Sequence, residues 1–263
     1  MKKTNIITLV SFILLIAAVS LFMLFGYSSA KGSAHDSTTQ KITSSTQMAD
    51  TPTEKVTEAS TKNQNSYDKA IADMSNALFI GDSRTVGLSE YAQIDGADFF
   101  ANVGMSVYNI YDKTISVPTV GKVTLIQLLE NKKYDKIYIM LGINEIGYSF
   151  DKTVSKYGDL VDFIRENQPD AYIFIQANLY VTKSRSDRDK VVNNPAIDKF
   201  NKVISLLADG KEIFYLDANE LFSDGNGNLS PEKSGDDAHL YAKHYAEWGN
   251  WIKEHTAQLL GEG

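Results

Sequence analysis

The sequence predicts an α/β sandwich, a parallel sheet covered by helices, over the part of the chain that begins near residue 67. Three observations carry this expectation. Five short apolar runs rich in Ile, Phe and Tyr recur there. Continuously apolar runs of that length suit strands buried on both faces. Stretches with helical spacing of apolar residues lie between the runs, and the connections are short, which together mean a parallel sheet with helices packed on it.

The elements follow in order. Ala77-Leu78-Phe79-Ile80 is the first run, stopped by Gly81-Asp82. A helical segment, Thr85 to Tyr91, comes next. The second run spans Ala97 to Val103 and stops at Gly104; the third spans Lys136 to Leu141 and stops at Gly142. Ala171 to Ile175 and Glu212 to Leu216 complete the set. Between and after them, Val154 to Asn167 gathers Tyr157, Leu160, Val161 and Ile164 on one side, and Ile197 to Ala208 gathers Phe200, Val203, Ile204 and Leu207. Tyr241 to Ile252 repeats the spacing with Tyr245, Trp248 and Ile252. No internal repeat is visible.

The first 66 residues read differently. Met1-Lys2-Lys3 precedes an almost unbroken apolar run from Ile6 to Phe25, long enough for the roughly 30 Å hydrocarbon layer of a bilayer. Residues 1–27 are therefore expected to be a signal anchor, with the two lysines keeping the N-terminus cytoplasmic and the rest of the chain outside. Ser28-Ser29-Ala30 offers small residues at which a peptidase could cut, which would make the protein secreted. Residues 28–66, rich in Ser and Thr and poor in large apolar side chains, are expected to be a disordered linker. Residues 67–263 form the folded domain.

Composition narrows the chemistry. The chain has 263 residues, 43% hydrophobic and 22% charged, with a formal charge of −7. An acidic chain of this kind lacks the basic footprint of a nucleic-acid binder. Cysteine is absent, so disulfides, thiolate metal sites, a cysteine nucleophile and a lipid-modified cysteine are excluded. The four histidines are His35, His239, His244 and His255. His35 falls in the linker, and His244 and His255 fall in or after the last helical segment.

Ligands of open parallel sheets bind beyond the carboxyl ends of the strands, so the residues after each run matter most. Ser83 follows the first strand at the entrance to a helix, where free N–H groups cluster; Gly-Asp-Ser alone reads more readily as a turn than as a nucleophile site. Gly104 follows the second strand, where a glycine lets backbone approach a ligand or merely ends the strand. Asn144 follows the third, either as an amide donor to a developing oxyanion or as a cap on the next helical turn. Asp236 precedes His239 by three residues and can reach back to the imidazole; Asp236 and Asp237 could alternatively be acidic residues at a helix start.

Taken together, Ile80-Gly81-Asp82-Ser83, Asn102-Val103-Gly104, Gly142-Ile143-Asn144-Glu145 and Asp236-Asp237-Ala238-His239-Leu240 resemble the four blocks of the SGNH hydrolases, also called GDSL esterases/lipases. The resemblance covers roughly Ala77 to Trp251. It implies a flavodoxin-like three-layer α/β/α sandwich with a five-stranded parallel sheet. It implies Ser83 as nucleophile, His239 as general base and then acid, and Asp236 as the residue that orients His239. The backbone N–H groups of Ser83 and Gly104 and the side chain of Asn144 would form the oxyanion hole. Two positions depart from the family's habit: Arg84 stands where Leu or Ile is frequent, and Glu145 where Asp is usual. Arg84 could recognise an anionic group of a substrate or pair with a nearby carboxylate. Asp237, displaced from the family spacing, reads as structural.

The resemblance implies acyl transfer through an acyl-serine, with no metal or organic cofactor. The substrate expected is an acylated small molecule or glycan, with acetyl esters of cell-wall or environmental carbohydrate foremost. The alternatives are a glycan O-acyltransferase using the same triad, a lysophospholipase or lipase, and an inactive binding module. Tyr108, Tyr148 and Tyr180 lie near strand ends, where tyrosines can stack on sugar rings or simply pack. No Gly-x-Ser-x-Gly elbow, Walker pattern or dinucleotide fingerprint is present. The membrane is expected as a partner through residues 1–27 alone, and the sequence does not reveal an oligomeric state.

Overall fold

The computed structural model describes residues 73–261. The expected anchor (1–27) and linker (28–66) lie outside the described residues. Among the described residues, no helix is long and apolar enough to cross a membrane.

The five expected strands are present: β1 (Ala77–Gly81), β2 (Asp98–Ala101), β5 (Lys136–Met140), β6 (Tyr172–Gln176) and β7 (Ile213–Leu216). The region between the second and third expected strands adds a short antiparallel hairpin, β3 (Ile115–Val117) with β4 (Gly121–Val123). Strands of three residues are too short to show alternation, so the sequence carries no periodic sign of them. The main sheet is parallel, in the order β2-β1-β5-β6-β7. Counting only its own strands in chain order, this is the flavodoxin-like 2-1-3-4-5 arrangement.

Alternate residues of each strand face opposite layers. Leu78, Ile80, Ile137, Ile139, Ile173 and Ile175 point to one face. There they meet α2 (Leu125–Asn131), α3 (Phe150–Asn167) and α5 (Asn194–Ile204), with α4 (Lys183–Arg188) preceding α5 in the chain. The opposite face is aromatic. Phe99, Phe79, Tyr138, Phe174 and Phe214, one per strand, stand in register and stack at centroid spacings of 5.0, 4.4, 4.7 and 5.4 Å. Over this ladder lie α1 (Ser83–Tyr91) and α7 (Ala242–Gly261), which contribute Leu88, Tyr245, Trp248 and Ile252. The one-turn α6 (Asn219–Phe222) adds Phe222 to the same layer.

Helix ends differ from the expected ones by a few residues, for local reasons. Asp82 caps α1, its carboxylate accepting from the Arg84 N–H, so the helix begins at Ser83 rather than Thr85. Asn193 caps α5 with Pro195 in the first turn, which starts that helix before Ile197. Thr124 and Gln127 close a reciprocal capping box on α2. The chain leaves β1 toward β2 on one side and returns to β5 on the other. The crevice at this reversal is where such sheets bind ligands, and the loops after β1, β2 and β5 all open into it.

Candidate active site

Ser83 is the first residue of α1, directly after the strand-ending Gly81-Asp82. Its Oγ lies 2.9 Å from His239 Nε2, although the two residues are 156 positions apart in sequence. His239 Nδ1 lies 2.6 Å from Asp236 Oδ2. Burial pushes the Asp236 carboxyl up, but hydrogen bonds from the His239 ring and backbone outweigh it and hold the group well below the usual carboxylate range. An ionised carboxylate can only accept. Nδ1 therefore carries the proton, and Nε2 of the neutral ring is left to accept the Ser83 hydroxyl. The other Asp236 oxygen accepts from the backbone N–H groups of Ala238 (3.0 Å) and His239 (2.7 Å), which fixes the bent loop. α7 begins only at Ala242, so Asp236 and Asp237 do not serve a helix start.

Asp237 points away. Its carboxylate accepts from the Thr182 hydroxyl (2.7 Å) and the Arg188 guanidinium (2.6 Å), and its backbone is left-handed at φ 70°. Aspartate tolerates that conformation better than most residues. Asp237 thus pins the histidine loop to the segment that opens α4, in line with a structural role.

Arg84 resolves differently from the substrate-facing expectation. It is 2% exposed, and its guanidinium donates to the carbonyl of Ala238, the residue before His239 (3.3 Å). It does not reach the surface. Asp82, equally buried, accepts the Arg84 backbone N–H at 2.9 Å, and the charges of the two side chains attract each other. Burial pushes the Asp82 carboxyl up against that pull. The Arg84 side chain's hydrogen bond goes to the Ala238 carbonyl and not to a carboxylate, so the arginine ties the base's loop to the nucleophile's helix.

The opposite side of the crevice is built from the loops after β2 and β5. Gly104 has φ 73°, and a Cβ there would meet nothing within 4 Å, so its backbone faces open space. Asn109 holds this loop, donating to the Gly104 carbonyl (3.1 Å) and accepting from the Ser106 N–H (3.0 Å). Asn144 is the middle residue of a 3-10 turn, Ile143–Glu145, which starts without a side-chain cap, so the capping reading is corrected. Its amide donates one hydrogen to the Met105 carbonyl (3.0 Å), leaving the second free. Glu145, 2% exposed, accepts the Val107 N–H at 2.6 Å and has its other oxygen buried without a partner. Burial raises its carboxyl to about 7, with the Val107 N–H opposing and the Asp82 charge assisting.

One supporting group escaped the sequence reading. Asn178, fully buried just past β6, accepts from the Ile143 N–H (3.1 Å) and donates to the Leu141 carbonyl (3.0 Å). It also fills the space beside Gly142, where φ is 129° and a Cβ would fall 2.2 Å from the Phe200 ring and 2.9 Å from Asn178 Nδ2. The rule that draws attention to strand ends points to it as well, at the fourth strand instead of the first three. Of the three tyrosines, Tyr108 and Tyr148 stack on each other, whereas Tyr180 hydrogen-bonds Asp198 elsewhere.

A Ser–His–Asp row of hydrogen bonds at the carboxyl edge of a 2-1-3-4-5 parallel sheet fits a class: serine ester hydrolases of the SGNH type. The family description "GDSL-like Lipase/Acylhydrolase family" matches residues 79–247, and the chain belongs to that family. Solved structures share the fold. A GDSL-like lipase from Bacteroides thetaiotaomicron superposes with a TM-score of 0.54 at 16% identity, covering 75% of this chain and 97% of that one. An acetyl xylan esterase, AlAXEase, superposes with a TM-score of 0.50 at 12% identity, covering 68% and 98%. No curated protein matches the sequence.

Proposed function

We propose that the protein is an extracytoplasmic serine esterase that removes small acyl groups, acetyl foremost, from cell-wall or environmental glycans. The observation that carries the catalytic part is the relay of 2.9 and 2.6 Å joining Ser83, His239 and Asp236. Serine is a weak nucleophile at neutral pH and needs an adjacent base. His239 Nε2 takes the hydroxyl proton as Oγ bonds to the ester carbon. Asp236 stabilises the imidazolium that results. The carbonyl oxygen, now negative, is met by the N–H groups of Ser83 and Gly104 and by the spare Asn144 hydrogen. The intermediate collapses, and the leaving alcohol oxygen takes the proton from His239. A water then attacks the acyl-serine with the same proton shuttle, releasing the acid and restoring Ser83.

Two points support the glycan part. The expected anchor and linker would hold the domain outside the membrane, and an acetyl xylan esterase stands among the structural neighbours. The test is acetate release by the full chain from p-nitrophenyl acetate, acetylated xylan and acetylated peptidoglycan, with Ser83→Ala alongside. Serine-dependent release from a glycan supports the proposal. Equal release by Ser83→Ala removes the mechanism. Release from p-nitrophenyl acetate alone removes the glycan assignment and keeps the esterase.

A further inference from the structure

Each proposed oxyanion donor loop continues into a tyrosine. Tyr108 follows Gly104 by four residues, and Tyr148 follows Asn144 by four. Four residues span at most about 14 Å even when fully extended, so the backbone of each tyrosine lies within that reach of a proposed oxyanion donor. The two rings meet, with centroids 5.2 Å apart and planes 26° apart.

The pair is unequal. Tyr108 is clamped: its hydroxyl is 3.0 Å from the buried Thr153 hydroxyl, and the Lys156 ammonium sits 5.5 Å from its ring centre. Tyr148 is 64% exposed, the largest exposure of any tyrosine among the described residues that stand out as exposed. Its backbone is nonetheless fixed, because its N–H donates to the Glu145 carbonyl at 2.9 Å. A single exposed aromatic is ordinary on a protein surface. An exposed aromatic braced from behind by a second ring, on a loop tied by Glu145 to the neighbouring loop, is a preformed flat platform. Tyrosine offers such a surface at low conformational-entropy cost. At its foot a cavity of about 180 Å³ opens, bordered by Ile146, Gly147, Phe150 and Lys199. That is smaller than the roughly 300–1,000 Å³ of pockets that enclose drug-sized ligands.

We infer that Tyr148, backed by Tyr108, is a sugar-stacking subsite that holds a pyranose unit of the glycan that carries the scissile ester. The negative face of an aromatic ring attracts partially positive edges, and the axial C–H groups of a pyranose present such an edge. This rests on the glycan reading above and names the residue that would give it selectivity.

The experiment compares the full-length wild type, Tyr148→Ala and Tyr148→Trp on acetylated xylo-oligosaccharides and on p-nitrophenyl acetate. The expected result is a fall of about 5–10-fold in the ratio of kcat/KM for oligosaccharide to kcat/KM for the aryl ester in Tyr148→Ala, expressed mainly in KM and restored by Trp. A ratio within twofold of wild type in Tyr148→Ala overturns the inference, as does a failure of Trp to restore it. If the wild type turns over only the aryl ester, the glycan reading fails by itself. The subsite is then read from inhibition of aryl-ester hydrolysis by unacetylated xylo-oligosaccharide and chito-oligosaccharide. Inhibition lost in Tyr148→Ala upholds the subsite, and no inhibition of the wild type overturns it.

Discussion

Ser83 and His239 are brought together by side chains from opposite ends of the described domain, whereas the loops bearing Gly104 and Asn144 are tied to each other through main-chain groups. On the first side the links start from charged side chains: Asp236 holds the imidazole, and Arg84, beside Asp82, reaches the Ala238 carbonyl. On the second side, Asn144 donates to the Met105 carbonyl and Glu145 accepts the Val107 N–H. In the proposed mechanism the first side moves a proton and the second holds donors still while charge develops between them. Substitutions on the two sides should therefore differ in size and in pH behaviour.

The largest effect belongs to the nucleophile. Ser83→Ala should lower kcat on p-nitrophenyl acetate by about 10⁴-fold or more, as loss of a triad member does elsewhere, while circular dichroism stays native, because Ser83 is only partly buried. Asp236→Asn should cost up to about 10⁴-fold by favouring the wrong tautomer. Asp237→Asn should cost less than tenfold, since a partly exposed ion pair is worth little. The reverse ranking would move the role to the other carboxylate.

Asn144→Ala comes next, at about 10²–10³-fold in kcat. Arg84→Met should cost about 10–10²-fold through a displaced His239 loop. It should also lower Tm, because Asp82 is left buried without its partner charge. A variant with wild-type kcat would sever the proposed link between Arg84 and the base.

Glu145→Gln should have the smallest effect on rate and the clearest one on pH. Burial raises the folded-state carboxyl to about 7 from an ordinary 4.5. A group raised in this way binds more protons folded than unfolded, so its contribution to stability is full below pH 4.5 and is lost as pH climbs toward 7. The Tm of Glu145→Gln minus that of wild type should therefore rise between pH 5 and pH 8 by a few degrees. A difference that is flat with pH would show that Glu145 is ionised throughout.

The two sides also differed in how much the sequence disclosed. Ser83, Gly104 and Asn144 were legible because the sheet places functional residues just past its strands, and the spacing of Asp236 and His239 is local. The five main strands were legible because burial on both faces makes continuous apolar runs. What the sequence concealed was long-range. Arg84 was open to two readings, a substrate's anionic group or a nearby carboxylate, and nothing local says that its hydrogen bond goes to a carbonyl 154 residues away. Glu145 stood out as a departure from the family's habit, but its contact with Val107 depends on two loops meeting. The β3–β4 hairpin is too short to have a period. Asn178 lay past a strand whose end drew no attention, and its role depends on the positive φ at Gly142.

The central claim is that Ser83 becomes acylated with His239 as its base. A fluorophosphonate probe tests it most directly, with the labelled peptide located by mass spectrometry in the full-length wild type, Ser83→Ala and His239→Ala. One adduct is expected on the peptide containing Ser83, none in Ser83→Ala, and severely slowed labelling in His239→Ala. An adduct on another residue, or undiminished labelling of His239→Ala, would contradict it.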